Sequence, residues 1–267
     1  MTTPAPANTP RPTRLPGGMT TDPPFGPLAD IGVPNPFFYH RDFDDFDYLD
    51  TQKWIVTSLS TGSVLGEVGD GGLIIFTTAA TSGDTEVMQH PFANFSLPQG
   101  ATLGKRAAFL VRLQMSDITN SDILVGLCDK TTTPFSAITD GLYYEKVSGG
   151  TVLNLNSVVG STATTLAINT AAYSLVNATN IDLAWLVTRK GDVVAYVGSQ
   201  LVGWIPQSGT GALNTSNYPA LPVVGPTGRI TAPTLTTANL TLTMAIKATA
   251  AAVKTLTVDF IGAWKER

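Results

Sequence analysis

Charge is scarce in this chain. Asp, Glu, Lys and Arg make up 13% of its 267 residues, about half of what a globular domain usually carries. With 43% of residues hydrophobic, the surface has to be covered largely by Thr, Ser, Asn, Gly and Ala. A neutral, hydroxyl-rich exterior suits dense contact with other subunits better than free diffusion as a metabolic enzyme. Basic charge of the kind that displaces counterions from nucleic acid is missing: the net charge is -4, and only Arg11 and Arg14 fall in the first 36 residues. Cysteine is down to Cys128, which excludes an intrachain disulfide. Its neighbours Ile123, Leu124, Val125 and Leu127 read as a buried strand, so a core thiol is expected. No apolar run reaches the roughly 18 residues of a membrane helix. The N-terminus lacks the basic-then-apolar pattern of a secretory signal. The expectation is a soluble protein made in a cytoplasm, with neither membrane nor nucleic acid as a partner.

What the first 36 residues do have is proline, at ten positions between Pro4 and Pro36. Each proline fixes φ and removes a donor, which disfavours helix and central strand alike. Extended polyproline-like chain is what remains, and at about 3.1 Å per residue it reaches on the order of 100 Å. Residues 1–36 are therefore read as an arm able to leave its own domain, with Pro10, Arg11, Pro12, Arg14, Leu15, Pro23, Pro24 and Phe25 as candidate partner-binding residues. Residues 37–267 form the body, large enough for one sizeable all-β domain.

In the body the hydrophobic period is two. Ala107, Phe109, Val111, Leu113 and Met115 alternate with Ala108, Leu110, Arg112 and Gln114; Leu240, Leu242, Met244 and Ile246 alternate with Thr241, Thr243, Ala245 and Lys247. Leu256, Val258, Phe260 and Trp264, with Gly262, are expected to share the inward face of a third such strand. Shorter strands are predicted at 52–58, 72–78, 121–129, 142–147, 152–158, 181–188 and 192–197, separated by turns such as Ser148-Gly149-Gly150. About a dozen strands describe an all-β jelly roll or β-sandwich of two antiparallel sheets. The Ala-rich stretch 248–253 is the single helical temptation, and its position between two strong strands predicts a turn or brief helical link. The Pro- and Gly-rich stretch 206–237 reads either as an interaction loop or as an extended edge.

The order of elements from Phe37 onward resembles the concanavalin A-like jelly roll. The resemblance is carried by Asp42-Phe43-Asp44-Asp45-Phe46-Asp47 followed by Trp54, by Leu73-Ile74-Ile75-Phe76, by the late hairpin Val193–Gly203 around Gly198-Ser199, and by the closing strand Leu256–Ile261. It implies a two-sheet lectin and glucanase fold. Retaining hydrolases of that fold set carboxylates at alternating positions of one strand. Of the four glutamates only Glu86 has an acid two residues away, Asp84, and Met88 occupies the next alternate position. The pair follows Thr81-Ser82-Gly83, so a solvated turn is the reading. Neither His40 nor His90 sits beside a serine or cysteine in a nucleophile elbow, and structural histidines near the sheet edges are expected. The acids Asp42, Asp44, Asp45, Asp47 and Asp50 lack the glycine and distal Glu of a calcium loop, and the interleaved Phe43, Phe46 and Tyr48 suggest a turn whose aromatics pack inward; no metal site is assigned. A glycan site would draw on Trp204, Asn217 and Tyr218, although a buried or interface role suits Trp204 better.

Taken together, the Pro-rich arm, the charge-poor Thr-rich β body and the missing catalytic set resemble tailed-bacteriophage capsid decoration, or cement, proteins. That resemblance implies a non-enzymatic virion protein without cofactors. It would sit on the capsid exterior as a homotrimer after assembly in the host cytoplasm and touch the major capsid protein and copies of itself. A carbohydrate-binding surface module and a tail or fibre subunit are the alternatives.

Overall fold

Strands with a period of two need a second layer to cover their apolar face, and the chain supplies it by folding back on itself as two sheets. A computed structural model describes residues 38–44, 49–67, 72–98, 106–150, 152–168, 175–188, 191–198, 200–205 and 235–266. The described strands are, in chain order, β1 (Phe38–Asp44), β2 (Ile55–Ser58), β3 (Ser63–Glu67), β4 (Leu73–Thr77), β5 (Thr85–Gln89), β6 (Phe95–Ser96), β7 (Ala107–Met115), β8 (Ser121–Cys128), β9 (Gly141–Lys146), β10 (Leu153–Val159), β11 (Thr162–Ile168), β12 (Ile181–Val187), β13 (Val193–Val197), β14 (Gln200–Ile205), β15 (Asn239–Ala248) and β16 (Thr255–Glu266). One helical turn, α1 (Pro134–Ala137), separates β8 from β9. The first sheet runs β14, β13, β12, β7, β16, β4, β3, with β1 also on β16; the second runs β11, β10, β9, β8, β15, β5, β2, with β6 on β15. All of these pairings are antiparallel.

The inward rows of β7 and β15 meet between the sheets as expected: Phe109, Val111 and Leu113 join Leu240, Leu242, Met244 and Ile246 in one buried cluster. Phe109 stacks on Trp185 at 5.6 Å between ring centroids. Burying each such side chain contributes roughly 1.5–3 kcal/mol. Tyr144 of β9 spans the layers, its hydroxyl 2.5 Å from the Ala184 carbonyl and 3.2 Å from that of Tyr196. A buried phenol needs such a partner, and here the partner ties one sheet to the other.

Several expectations change. There are sixteen described strands rather than about a dozen, because β3, β6 and β11 are short or Thr-rich and carry little apolar alternation. Residues 248–253 form the end of β15 and the expected turn, closed by Ala252 N–H on the Ala250 carbonyl, 2.8 Å. The helical turn lies instead at Pro134, whose fixed φ suits a first helical position. In β16 a bulge between Val258 and Phe260 shifts the register. Leu256 and Val258 face the core, but beyond the bulge Ile261 and Ala263 take the inward places while Phe260 and Trp264 turn outward. One extra residue reverses the parity of everything that follows it. The hairpin β13–β14 forms where it was read, with Gly198 at φ 60 supplying the left-handed turn.

Candidate functional site

The outer face of the first sheet is apolar. Trp204 lies opposite Val194, Val194 opposite Leu186, Leu186 opposite Ala108 and Ala108 opposite Trp264. This row crosses five strands, from the β14 edge to β16. In the next row Leu201 faces Tyr196, Ala184 and Leu110 in turn. Nine residues of these rows, Phe260 included, form a cluster drawn from this sheet alone, yet none exceeds 7% exposure. The face is thus as deeply buried as the core between the sheets. Trp204 at its edge is half-buried.

Polar residues close the other end of that face. Arg112 forks onto Asp182 with Nε–Oδ1 and Nη2–Oδ2 distances of 2.6 and 3.0 Å, and its Nη1 lies 3.5 Å from Asp259 Oδ2. Its guanidinium also sits 5.3 Å from the Phe260 ring centre. The hydrogen bonds to Asp182 hold the guanidinium in its charged form. With all three side chains partly exposed, the group contributes modestly to stability and mainly fixes orientation.

On the second sheet the outward row is polar. Thr243 receives Gln89 Nε2 at 2.9 Å and Cys128 Sγ at 3.1 Å. Asn156 donates to Glu145 Oε2 at 2.6 Å and accepts from Thr165 Oγ1 at 2.7 Å. Burial raises the Glu145 carboxyl above its ordinary value and pushes the Cys128 thiol up to about 12, so the thiol is inert at neutral pH. Cys128 is buried as expected, but on this outward side, where Val87, Leu124, Tyr143, Val158 and Ala245 surround it and Phe135 and Ile138 from the α1 region lie against them.

A third group sits at the β2 end of the sandwich. Asp84 and Glu86 are 3% and 0% exposed, which overturns their reading as a solvated turn. Met88 and Ile246 on the same side both belong to the inter-sheet core, so Glu86 points between the layers. Ser58 Oγ donates to Glu86 Oε1 at 2.8 Å, while Glu86 Oε2 and Asp84 Oδ1 are buried with no hydrogen-bond partner. Desolvation lifts the Glu86 carboxyl to about 7, with Asp84 adding to the rise.

The geometry answers to a known architecture. No family model and no curated protein matches the sequence. Solved structures do match, among them a Shewanella oneidensis MR-1 protein of unknown function (TM-score 0.51, 11% identity, 90% of this chain and 92% of that one). The Emp46p carbohydrate recognition domain in its potassium-bound form is similar at TM-score 0.50 and 6% identity over 85% and 95%. A Trichoderma reesei endo-beta-1,4-glucuronan lyase is similar at 0.51 and 9% over 83% and 94%. The fold is a concanavalin A-like jelly-roll sandwich. At these identities the likeness is one of fold, which hosts binding modules and enzymes alike.

The residues singled out from sequence fall unevenly on this frame. Pro10, Arg11, Pro12, Arg14, Leu15, Pro23, Pro24 and Phe25 lie outside the described residues, as do Asn217 and Tyr218. Of the acid cluster, Asp42 and Asp44 belong to β1 and Asp50 Oδ1 accepts from Gln52 N–H at 2.8 Å; Asp45 and Asp47 lie outside. Among the described residues no group of three or more His, Cys, Asp or Glu is placed to hold a metal ion. His40 is in β1, and His90 follows β5 edge-on to Trp54 at 5.9 Å. The covered outer faces were missed, although the sequence carries their signal: Ala108 with Leu110 and Ala184 with Leu186 make both sides of β7 and β12 apolar, as in strands buried on both faces.

Proposed function

We propose that this chain is a structural protein of a phage virion. In this reading it binds the capsid exterior, bridges major capsid protein subunits, and uses residues 1–36 as a tether to neighbouring subunits, including copies of itself in a trimer. What supports the reading is composition: charged residues are 13% of the chain, and ten prolines fall in its first 36 residues. So little charge leaves little electrostatic resistance to close packing against other subunits. Added contact area across several subunits, linked by a long arm, raises avidity without requiring strong individual contacts. Deleting residues 1–36 and measuring retention on purified capsids tests the reading; undiminished occupancy would sink it.

A second reading is a carbohydrate-binding surface module. It is favoured by the fold shared with the Emp46p carbohydrate recognition domain. Binding on a glycan array that is lost with Trp204→Ala would establish it, and silence across the array would dismiss it.

A further inference from the structure

The tether reading leaves open where the arm goes first. β1 pairs with the last residues of β16, with Arg41 opposite Trp264 and Phe38 opposite Glu266. Phe38, the first described residue, therefore stands at the end of the strand that borders the outer apolar face, beside the row that ends in Trp264. The residues on its N-terminal side are of two kinds. Residues 25–36 carry Phe25, Leu28, Ile31 and Val33 among prolines, whereas residues 1–24 hold only Met1, Leu15 and Met19 as large apolar side chains. The apolar part of the arm is the part nearest in sequence to β1.

We propose that residues 25–36 lie across the outer face of the first sheet of their own chain, leaving residues 1–24 to reach a neighbour. The second half of that statement rests on the tether reading; the first does not. Lengths agree. Crossing from β16 to β14 takes four strand spacings, about 19 Å, and twelve extended residues span roughly 37 Å. Pro27, Pro34 and Pro36 each remove a ladder donor and fix φ in the extended region, which suits the segment to covering a face rather than adding a regular strand. The short connection through β1 gives the segment a high effective concentration at this face, which favours it over the same segment of a second copy. The nine clustered residues are buried although every one of them comes from this sheet, as a face with its own cover would be.

The test uses the full chain with Leu28→Cys carrying a nitroxide, since Cys128 is fully buried and leaves the new thiol as the reactive one. The indole N–H signals of Trp204 and Trp264 are read by nuclear magnetic resonance against the same label at Thr3→Cys. The expected result is loss of both signals from position 28 and not from position 3. In a sample mixing isotope-labelled unmodified chains with unlabelled nitroxide-bearing chains, no loss is expected. Unchanged signals in both samples would overturn the proposal. Loss confined to the mixed sample would give the face to a second copy. Loss from a label at Leu213→Cys but not at Leu28→Cys would give it to residues 206–234. Either result refutes the assignment. Capsid retention is read separately: docking without retention refutes the tether reading alone, and retention with an undocked segment refutes this proposal alone.

Discussion

Glu86 makes stability fall as pH rises, against the usual behaviour of a protein carboxylate. Its side chain is fully buried, with one oxygen held by Ser58 and the other without a partner. The folded carboxyl sits at about 7 against an ordinary 4.5. Below pH 4.5 both folded and unfolded chains carry the proton, and the group is neutral to stability. Between there and pH 7 the unfolded chain releases its proton while the folded chain keeps it, so each pH unit costs stability; above 7 both forms are ionised and the loss levels off. At about 1.4 kcal/mol per pH unit the total is on the order of 3 kcal/mol. Glu86→Gln keeps an oxygen to accept from Ser58 and abolishes the titration. Urea unfolding of both proteins from pH 4.5 to 8 reads the effect. The wild-type chain is expected to lose stability over this range by roughly 3 kcal/mol more than the variant. The comparison is one of slopes, because the introduced amide brings two buried donors of its own that shift the variant's curve as a whole. Glu145, also raised by burial, leaves the variant a residual slope of the same sign. Parallel curves for the two proteins would refute the account of Glu86.

Three further outcomes follow from the same packing. A methyl at Gly62 would lie 2.0 Å from Glu86 Oε1 and 2.6 Å from the Thr77 carbonyl, so Gly62→Ala is expected to lower the thermal midpoint by the equivalent of about 1–3 kcal/mol; an unchanged midpoint would show that β2 and β3 yield freely there. Tyr144→Phe removes the strut between the sheets and should cost about 1 kcal/mol in urea unfolding, a loss that a water-filled rather than tight junction would not produce. Asp117 sits 2.6 Å from Lys254 Nζ, and that bond holds its carboxyl well below the usual range. Asp117→Asn leaves the buried ammonium without its counterion and should destabilise by a few kcal/mol at pH 7. The carboxylate's contribution is present above the ordinary carboxylate range and is lost as pH falls toward the folded value, so the gap should narrow in acid. A gap of constant size from pH 7 to pH 3 would contradict the pairing.

Much of the second sheet could be read from spacing alone. Leu240, Leu242, Met244 and Ile246 announce an inward face because nothing in β15 interrupts the alternation. β3 and β11 could not be read, since edge strands with Ser, Thr and Gly satisfy their backbone in the ladder without an apolar signature. The pair Asp84 and Glu86 was visible as a pattern and misread as a place, because burial depends on which strands close over a turn and not on the turn's own residues.

By itself the sequence determined the all-β class, the positions of the long strands and the late hairpin turning at Gly198. These follow from local rules: a period of two and the left-handed conformation that glycine tolerates. The tertiary structure alone decided which side of each sheet the aromatic residues occupy. Phe260 and Trp264 have the spacing of core residues, and the bulge after Val258 sends them outward to join Tyr196 and Leu201. A bulge is set by how β16 must bend between β7 and its neighbours, so its position is a property of the assembled sheet. That single added residue takes two aromatic side chains out of the layer between the sheets and sets them on the outer side.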